Sequence, residues 1–557
     1  MASTAVRRKW FRRVASVLAL AMVAAACGGG GDDDGGGGGG DSAGGDEGTP
    51  TPGGKVIYGL EAETTDGWCL PEAQLAISGI MVARSIYDTL TRPTADGTYE
   101  PWLAESVEPN DDYTQWTITL RDGIKFHDGT DLTAEVVKNN LDAYRGTYPT
   151  RKPQLFIFTF QNIANTEVVD PQTVRVTMNQ PWVAFDAYLY GSGRVGMMAQ
   201  AQLDDTRTCA ENLIGTGPFK LVNWTPNQSL TAEKNPDYWA TDAEGRQLPY
   251  LDEIEFRPIV EVAQRLNALQ SGEINAMHTS DAETIDELRG LSDSGDVTAV
   301  ESDKFGEVSY IMLNESKPPF DNITARQALA YASDFDEVNT ILNAGITTQA
   351  TGPFAPGNIG NLDDTGFPTY DPDRAEELVQ QYTTETGQPL SFTYTTTQAE
   401  ATVAQAQLLK EQAEAVGMSV EIITVDQSTQ IDSAISGDFE AIGWRNHPGG
   451  DPDEQYVWWK SASSGNPINF GRFSDTEIDQ LLDKGRSTAD QAQREQIYDD
   501  LNRRFAEEVH NVWLWYTPWT VATSPDVHGI LGEGPSSPEP FPGLAAGNPT
   551  TYMWVEQ

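Results

Sequence analysis

A mixed α/β fold is what this sequence predicts, and three observations carry that expectation. Strand-like and helix-like patterns alternate along the chain from residue 55 onward. No internal repeat recurs at a solenoid or propeller period, which sets those architectures aside. The roughly 500 residues from 55 to 557 exceed what one hydrophobic core serves, so two or three domains are expected.

The elements follow in order. KVIYGL (55–60) reads as a strand, and 74–90 as a helix with Ile86 and Leu90 four apart. In WTITLR, Trp116, Ile118 and Leu120 alternate inward against Thr117 and Thr119, the pattern of a half-buried strand. Thr133 is placed to cap a helix that carries Val137, Leu141 and Tyr144 on one face. TVRVTM (173–178) is a further strand, and VSYIML and VWLWY are apolar strand-like runs. A long helix near 488–508 lines up Ile497, Leu501 and Phe505, with its charged residues read as the solvated face.

The N-terminus reads as an address. Arg7, Arg8, Lys9, Arg12 and Arg13 precede an uncharged, mostly apolar run from Val14 to Ala26, too short to span a bilayer as a helix. Ala24-Ala25-Ala26-Cys27 resembles the lipobox of bacterial lipoproteins, with Cys27 as the lipidated first mature residue; a plain secretion signal is the alternative. Residues 28–54, GGGGDDDGGGGGGDSAGGDEGTPTPGG, have almost nothing to bury and are expected to be a disordered tether with a reach of about 30 Å. A lipid at one end and a mobile body at the other would hold the protein at the outer face of the cytoplasmic membrane.

The formal net charge is −47, more negative still without the basic N-terminal segment, and such a field repels nucleic-acid phosphates. After Cys27 only Cys69 and Cys209 remain. In an exported chain that even pair suggests one disulfide, with two separately buried thiols as the alternative. No nucleophile elbow, zinc-protease or phosphate-loop motif is found. The five histidines lack metal-ligand spacing, so neither a metal nor a cofactor is expected. With 83 acidic residues some carboxylate pair always looks suggestive of a glycosidase, which makes that signal weak.

Residues 101–145, PWLAESVEPNDDYTQWTITLRDGIKFHDGTDLTAEVVKNNLDAYR, closely resemble the signature of family 5 extracellular solute-binding proteins. The resemblance continues, in order, through IGTGPFKLVNW (214–224), KNPDYW (234–239), PFDNITARQALAYASD (319–334) and YDPDRAEELV (370–379). It implies a type II, two-lobed periplasmic-binding-protein-like fold in its large three-part variant. Lobe I would combine 55–97, 210–309 and 520–557, an inserted subdomain would take 98–209, and lobe II would take 310–519. Two crossings, near Ser309–Leu313 and Trp513–Thr520, would form the hinge.

The stretch GWRNHPGGDPD (443–453) corresponds, by the same resemblance, to a cleft-facing loop of the opposing lobe. Peptide-binding relatives place there a ligand-lining tryptophan and, three residues on, an aspartate that accepts the ligand's ammonium group. Trp444 matches the tryptophan, but His447 stands where the aspartate would be, and the next acid is Asp451. Nickel-binding relatives have a histidine where Asp453 stands. The expected ligand-contacting set is Trp444, Arg445, Asn446, His447 and Asp451, with Trp515 and Tyr516 as aromatic cleft residues and Ser78-Gly79 as a backbone-contact segment. The expected protein is a non-catalytic, monomeric, lipid-anchored receptor that captures a solute, foremost a short peptide, for an ABC permease. Oligosaccharides, metal chelates and other small polar solutes are the alternative ligands; a surface hydrolase and an adhesin or scaffold are the rival classes.

Overall fold

The computed structural model describes residues 49–64, 67–446, 449–530, 541–547 and 550–557. The signal, Cys27, nearly all of the tether and His447 lie outside the described residues.

Two mixed sheets organise the molecule. The first has seven strands in the order Thr298–Ser302, Trp519–Thr523, Ala276–Thr279, Lys55–Leu60, Glu253–Pro258, Ser229–Lys234 and Phe219–Thr225. Lys55–Leu60 lies at its centre, parallel to both neighbours. The second has six strands, in the order Thr348–Gln349, Asn511–Tyr516, Val308–Leu313, Ala441–Arg445, Ser391–Thr397 and Ser419–Val425. Every residue of Val308–Leu313 is buried, as an uninterrupted apolar run at the centre of a covered sheet should be. Each sheet has its own apolar core, one around Tyr58, Ile254 and Phe256 and one around Tyr310, Trp459 and Trp513.

Residues 104–178 supply a third, four-stranded antiparallel sheet. In Gln115–Leu120 the buried residues are Trp116, Ile118 and Leu120, the alternation that the sequence shows. Thr133 accepts a hydrogen bond from the Val136 N–H and caps the helix Ala134–Tyr144. The buried residues of this sheet join the core of the first sheet and not that of the second, so it packs as an outgrowth of the first sheet. A disulfide between Cys69 and Cys209 ties the insertion's end back to a segment just before the helix Ile77–Ile86.

That helix is shorter than its sequence pattern. It ends at Ile86, and Tyr87 is extended. The next residue explains the stop: the buried Asp88 carboxylate accepts from Trp102 Nε1, Tyr238 OH, Thr216 Oγ1 and Trp239 Nε1, at 3.0 to 3.3 Å. Four donors on one acid outweigh a continued helical turn. The long C-terminal helix runs Gln491–Glu508 with Asp490 as its cap, and Leu501 and Phe505 are buried. Its charged residues are not all solvated, however: Arg494 is buried.

The chain passes between the sheets twice. One passage, residues 303–307, joins Thr298–Ser302 to Val308–Leu313; the other, residues 517–518, joins Asn511–Tyr516 to Trp519–Thr523. The first lies just ahead of the expected Ser309–Leu313, which is sheet interior. The passages run side by side, with Thr517 N–H donating to the Glu307 carbonyl at 2.9 Å and the Ser309 and Thr517 hydroxyls 2.9 Å apart.

Candidate functional site: a charged cleft beside the two crossings

Strand alternation sorts the residues of GWRN. Arg445 pairs with Ser309, which on its other side pairs with Trp515. Trp444 pairs with Tyr310, a residue of the second core. Cross-strand partners share a face, so Arg445, Ser309 and Trp515 line one side of the sheet and Trp444 the other. The contacts agree. The Trp444 ring meets Phe470 edge-on at 5.7 Å, whereas Arg445 reaches out of its own lobe. Arg445 Nη1 donates to Ser280 Oγ, beyond the end of the first-sheet strand Ala276–Thr279, at 3.0 Å. The same nitrogen lies 3.4 Å from Glu307 Oε2, with the guanidinium 5.9 Å from the Trp519 ring.

Arg445 keeps 40% of its side chain exposed, and among the described residues only Nη1 is engaged. Glu307 is buried, and its Oε2 also accepts from Trp519 Nε1 at 3.2 Å. Burial pushes the Glu307 carboxyl upward against the pull of Arg445, and the nearby Glu61 adds to the push. Glu307 and Glu61 together hold Arg445 firmly charged. Arg445 is therefore an accessible cation set beside two acids where the two sheets' ends approach.

Ser78 and Gly79 open the helix Ile77–Ile86, whose N-cap Ala76 makes no side-chain cap. Ser78 Oγ lies 3.1 Å from His278 Nε2 and accepts from Ala62 N–H at 3.3 Å. The same His278 nitrogen accepts from Glu61 N–H, so the Ser78 hydroxyl is the donor to it. Burial lowers the His278 pKa to about 3 and keeps the ring neutral. With its hydroxyl committed, this segment has backbone to offer.

Three expected residues serve the scaffold. Asn446 is buried; its Oδ1 accepts from Val308 N–H at 3.0 Å and its Nδ2 donates to Gln455 Oε1 at 2.9 Å. Asp451 takes a two-pronged ion pair from Arg494, at 2.7 and 2.5 Å, and caps the short 3-10 helix Pro452–Gln455. Tyr516 is buried, and its hydroxyl accepts from Asn361 Nδ2 at 3.0 Å. Trp515 stays half-buried on the Arg445 face. Trp458 and Trp459 are core residues.

Glu307, Ser280, Glu61 and His278 were not singled out from sequence. Only Glu307 had a legible signal, as an acid directly ahead of the apolar run VSYIML. A cavity of about 590 Å³ lined by Glu315, Arg326, Asp475, Arg504, Glu508 and His510 lies wholly within the second lobe, and its charges largely neutralise one another.

Two sheet-based lobes, two adjacent crossings and a charged cleft beside them define a two-lobed solute-binding fold of type II. The chain belongs to the bacterial extracellular solute-binding proteins, family 5: residues 98–467 match the middle region of that family. It is 30% identical over 438 residues to the glutathione-binding protein GsiB of Escherichia coli O1:K1 / APEC, covering 75% of this chain and 80% of that one. It is 33% identical over 314 residues to GsiB of Salmonella typhi, spanning 56% of this chain and 58%, somewhat over half, of that relative. Among solved structures, DppA of Helicobacter pylori in complex with the peptide STSA superposes with a TM-score of 0.80 at 23% identity, over 91% of this chain and 99% of that one. The binding protein AgaA of A. tumefacien R10, in complex with agropinic acid, gives 0.77 at 25% identity, over 90% and 99%. Members of the family are extracellular or periplasmic solute-binding proteins, and no described helix is long and apolar enough to cross a membrane.

Proposed function

We propose that this protein is a non-catalytic, monomeric receptor that holds a short peptide between its lobes and delivers it to an ABC permease. The observation that carries the reading is Arg445, a guanidinium of the second lobe that reaches Ser280 of the first while leaving two nitrogens for a ligand. A peptide carboxylate fits that fork, with Trp515 stacking nearby and the Ser78-Gly79 backbone opposite. The ammonium-binding aspartate of peptide-binding relatives has no counterpart in Asp451, whose charge is matched by Arg494. Asn446 and Tyr516 set the cleft's shape from behind, and Trp444 supports its wall. Relatives whose names specify glutathione or D,D-dipeptides favour a peptide over a sugar or metal chelate.

We assign lobe I to 55–97, 210–309 and 520–557, the insertion to 98–209 and lobe II to 310–519. Cys27 is the lipid attachment site, and the glycine- and aspartate-rich segment is the leash to the membrane. Cys27→Ser should leave the membrane fraction after a high-salt wash.

The test of function is a thermal-shift screen with di- and tripeptides, followed by mass spectrometry of the recovered ligand. A cognate peptide at about 100 times its Kd should add about 2.7 kcal/mol of stability and come back uncleaved. Cleavage products would show a hydrolase, and the absence of any peptide shift would remove the peptide reading.

A further inference from the structure

The inserted segment meets the second lobe at a separate contact, built on the loop 449–455. Trp182 Nε1 donates to Asp453 Oδ2 at 2.8 Å, and Tyr188 OH to the Asp453 carbonyl at 2.6 Å. Arg486, from the helix Thr476–Ser487, donates Nε to Asp453 Oδ1 at 3.0 Å and lies 4.7 Å from the Trp182 ring. The Arg486 carbonyl in turn accepts from Val183 N–H at 2.8 Å. Trp182 and Asp453 are completely buried. Burial opposes the charge of Arg486, yet Asp453 raises its pKa above the ordinary value.

Beside this matched pair stand two acids that make no direct ion pair among the described residues. Glu454, buried, accepts from Tyr99 OH at 2.7 Å and from Ser192 Oγ at 3.1 Å, both across the contact. It makes no ion pair among the described residues. The charged and titratable groups around it are Tyr99, Tyr188, Tyr190 and Arg194 from the insertion side, and Asp451 from its own loop. Asp451 and Asp453 are already matched by Arg494 and Arg486. Asp186, on the insertion, is half-buried within electrostatic reach of Asp451 and Arg494, and its carboxylate accepts from Ala187 N–H at 3.0 Å. This contact therefore encloses Asp451, Asp453 and Glu454, the first two paired directly with arginines and Glu454 within electrostatic reach of the buried Arg194, with Asp186 half-buried beside them.

We propose that this contact is a proton-dependent clasp, which holds the insertion against the second lobe when Glu454 and Asp186 carry protons and loosens when they ionise. Burial raises both carboxyls to about 7, and the charge of Asp451 adds to each. With the clasp open both groups face water and return to roughly 4. The closed form thus holds protons that the open form releases between those values, so closure strengthens as pH falls below about 7. Each carboxyl should favour closure at pH 5.5 over pH 8.5 by roughly tenfold or more. The device acts without ligand and stands apart from the identity of the solute.

The test is small-angle scattering of the ligand-free protein at pH 5.5 and 8.5. The wild type should have the smaller radius of gyration at pH 5.5. Glu454→Gln combined with Asp186→Asn, which mimics the protonated pair, should stay compact at both values, with each single variant intermediate. Circular dichroism melts check that the variants fold, and the single variants decide the matter if the double does not. An unchanged wild-type radius, or a pH response that survives in the variants, would overturn the clasp.

Discussion

Two arginines of the second lobe meet an acid where the lobes adjoin, and the two meetings differ in kind. Arg445 approaches Glu307 at 3.4 Å through one nitrogen and keeps 40% of its side chain in solvent. Arg486 binds Asp453 at 3.0 Å with 6% and 0% of the side chains exposed, under a lid of Trp182 and Tyr188. A buried, fully partnered pair is costly to break because the remaining charge has nowhere to go. Where only the arginine is accessible, the buried acid can take up a proton once its partner is gone, so the pair is less costly to break, and the arginine has capacity left for other partners. The two pairs thus differ in how much of the arginine is left for other partners.

The largest expected effect follows from breaking the buried pair. Asp453→Ala leaves Arg486 uncompensated and Trp182 Nε1 without its acceptor, and should lower unfolding stability by about 3–5 kcal/mol in urea titrations. Arg445→Ala should cost clearly less stability than Asp453→Ala in the same assay, because Glu307 can neutralise itself by protonation, while weakening peptide binding at least about tenfold. A similar stability loss in both variants would erase the distinction.

Next come the two tryptophans, which the register places on opposite faces. Trp515→Ala should cost more affinity than Trp444→Ala, whereas Trp444→Ala should cost more stability through lost packing on Phe470, about 1–3 kcal/mol. Calorimetric titration and thermal melts of both variants measure each half, and the reverse order would place Trp444 in the cleft.

The smallest effect concerns His510, inside the second lobe and away from both contacts. Its Nδ1 lies 2.6 Å from Glu315 Oε1, and its ring stacks on Phe473 at 4.3 Å. Burial opposes its charge, but the carboxylates of Asp475, 3.6 Å from Nε2, and of Glu315 prevail and raise its pKa. The resulting stabilisation is complete below about pH 6.5 and is lost as pH rises through the folded value. Stability should therefore fall as pH rises above about 6.5, and His510→Gln should remove that slope.

What was legible in the sequence follows a physical rule. Elements whose side chains meet local neighbours, such as Gln115–Leu120 with its alternation and Ala134–Tyr144 with its Thr133 cap, could be read from spacing alone. The family resemblance carried the two-lobed fold. Roles set by distant partners were hidden. Asp451 reads as a ligand-contacting acid because its partner Arg494 lies 43 residues downstream, on a helix whose charges read as solvated. The end of the helix at Ile86 depends on donors to Asp88 from as far away as Trp239. Trp444 and Arg445 are neighbours in a loop-like string, and only the register against Ser309 and Tyr310 separates their faces.

On the proposed reading, a peptide is recognised through its carboxylate, on Arg445, and not through its ammonium group. Calorimetric titration of one bound dipeptide in three forms, free, N-acetylated and C-amidated, tests it most directly. Amidation should weaken binding by more than about tenfold, and Arg445→Ala should abolish that difference; acetylation should cost less than about tenfold. A hundredfold loss on acetylation with little loss on amidation, reproduced by Glu307→Gln, would show that an acid of the cleft holds the ligand's amine and would contradict the assignment of Arg445.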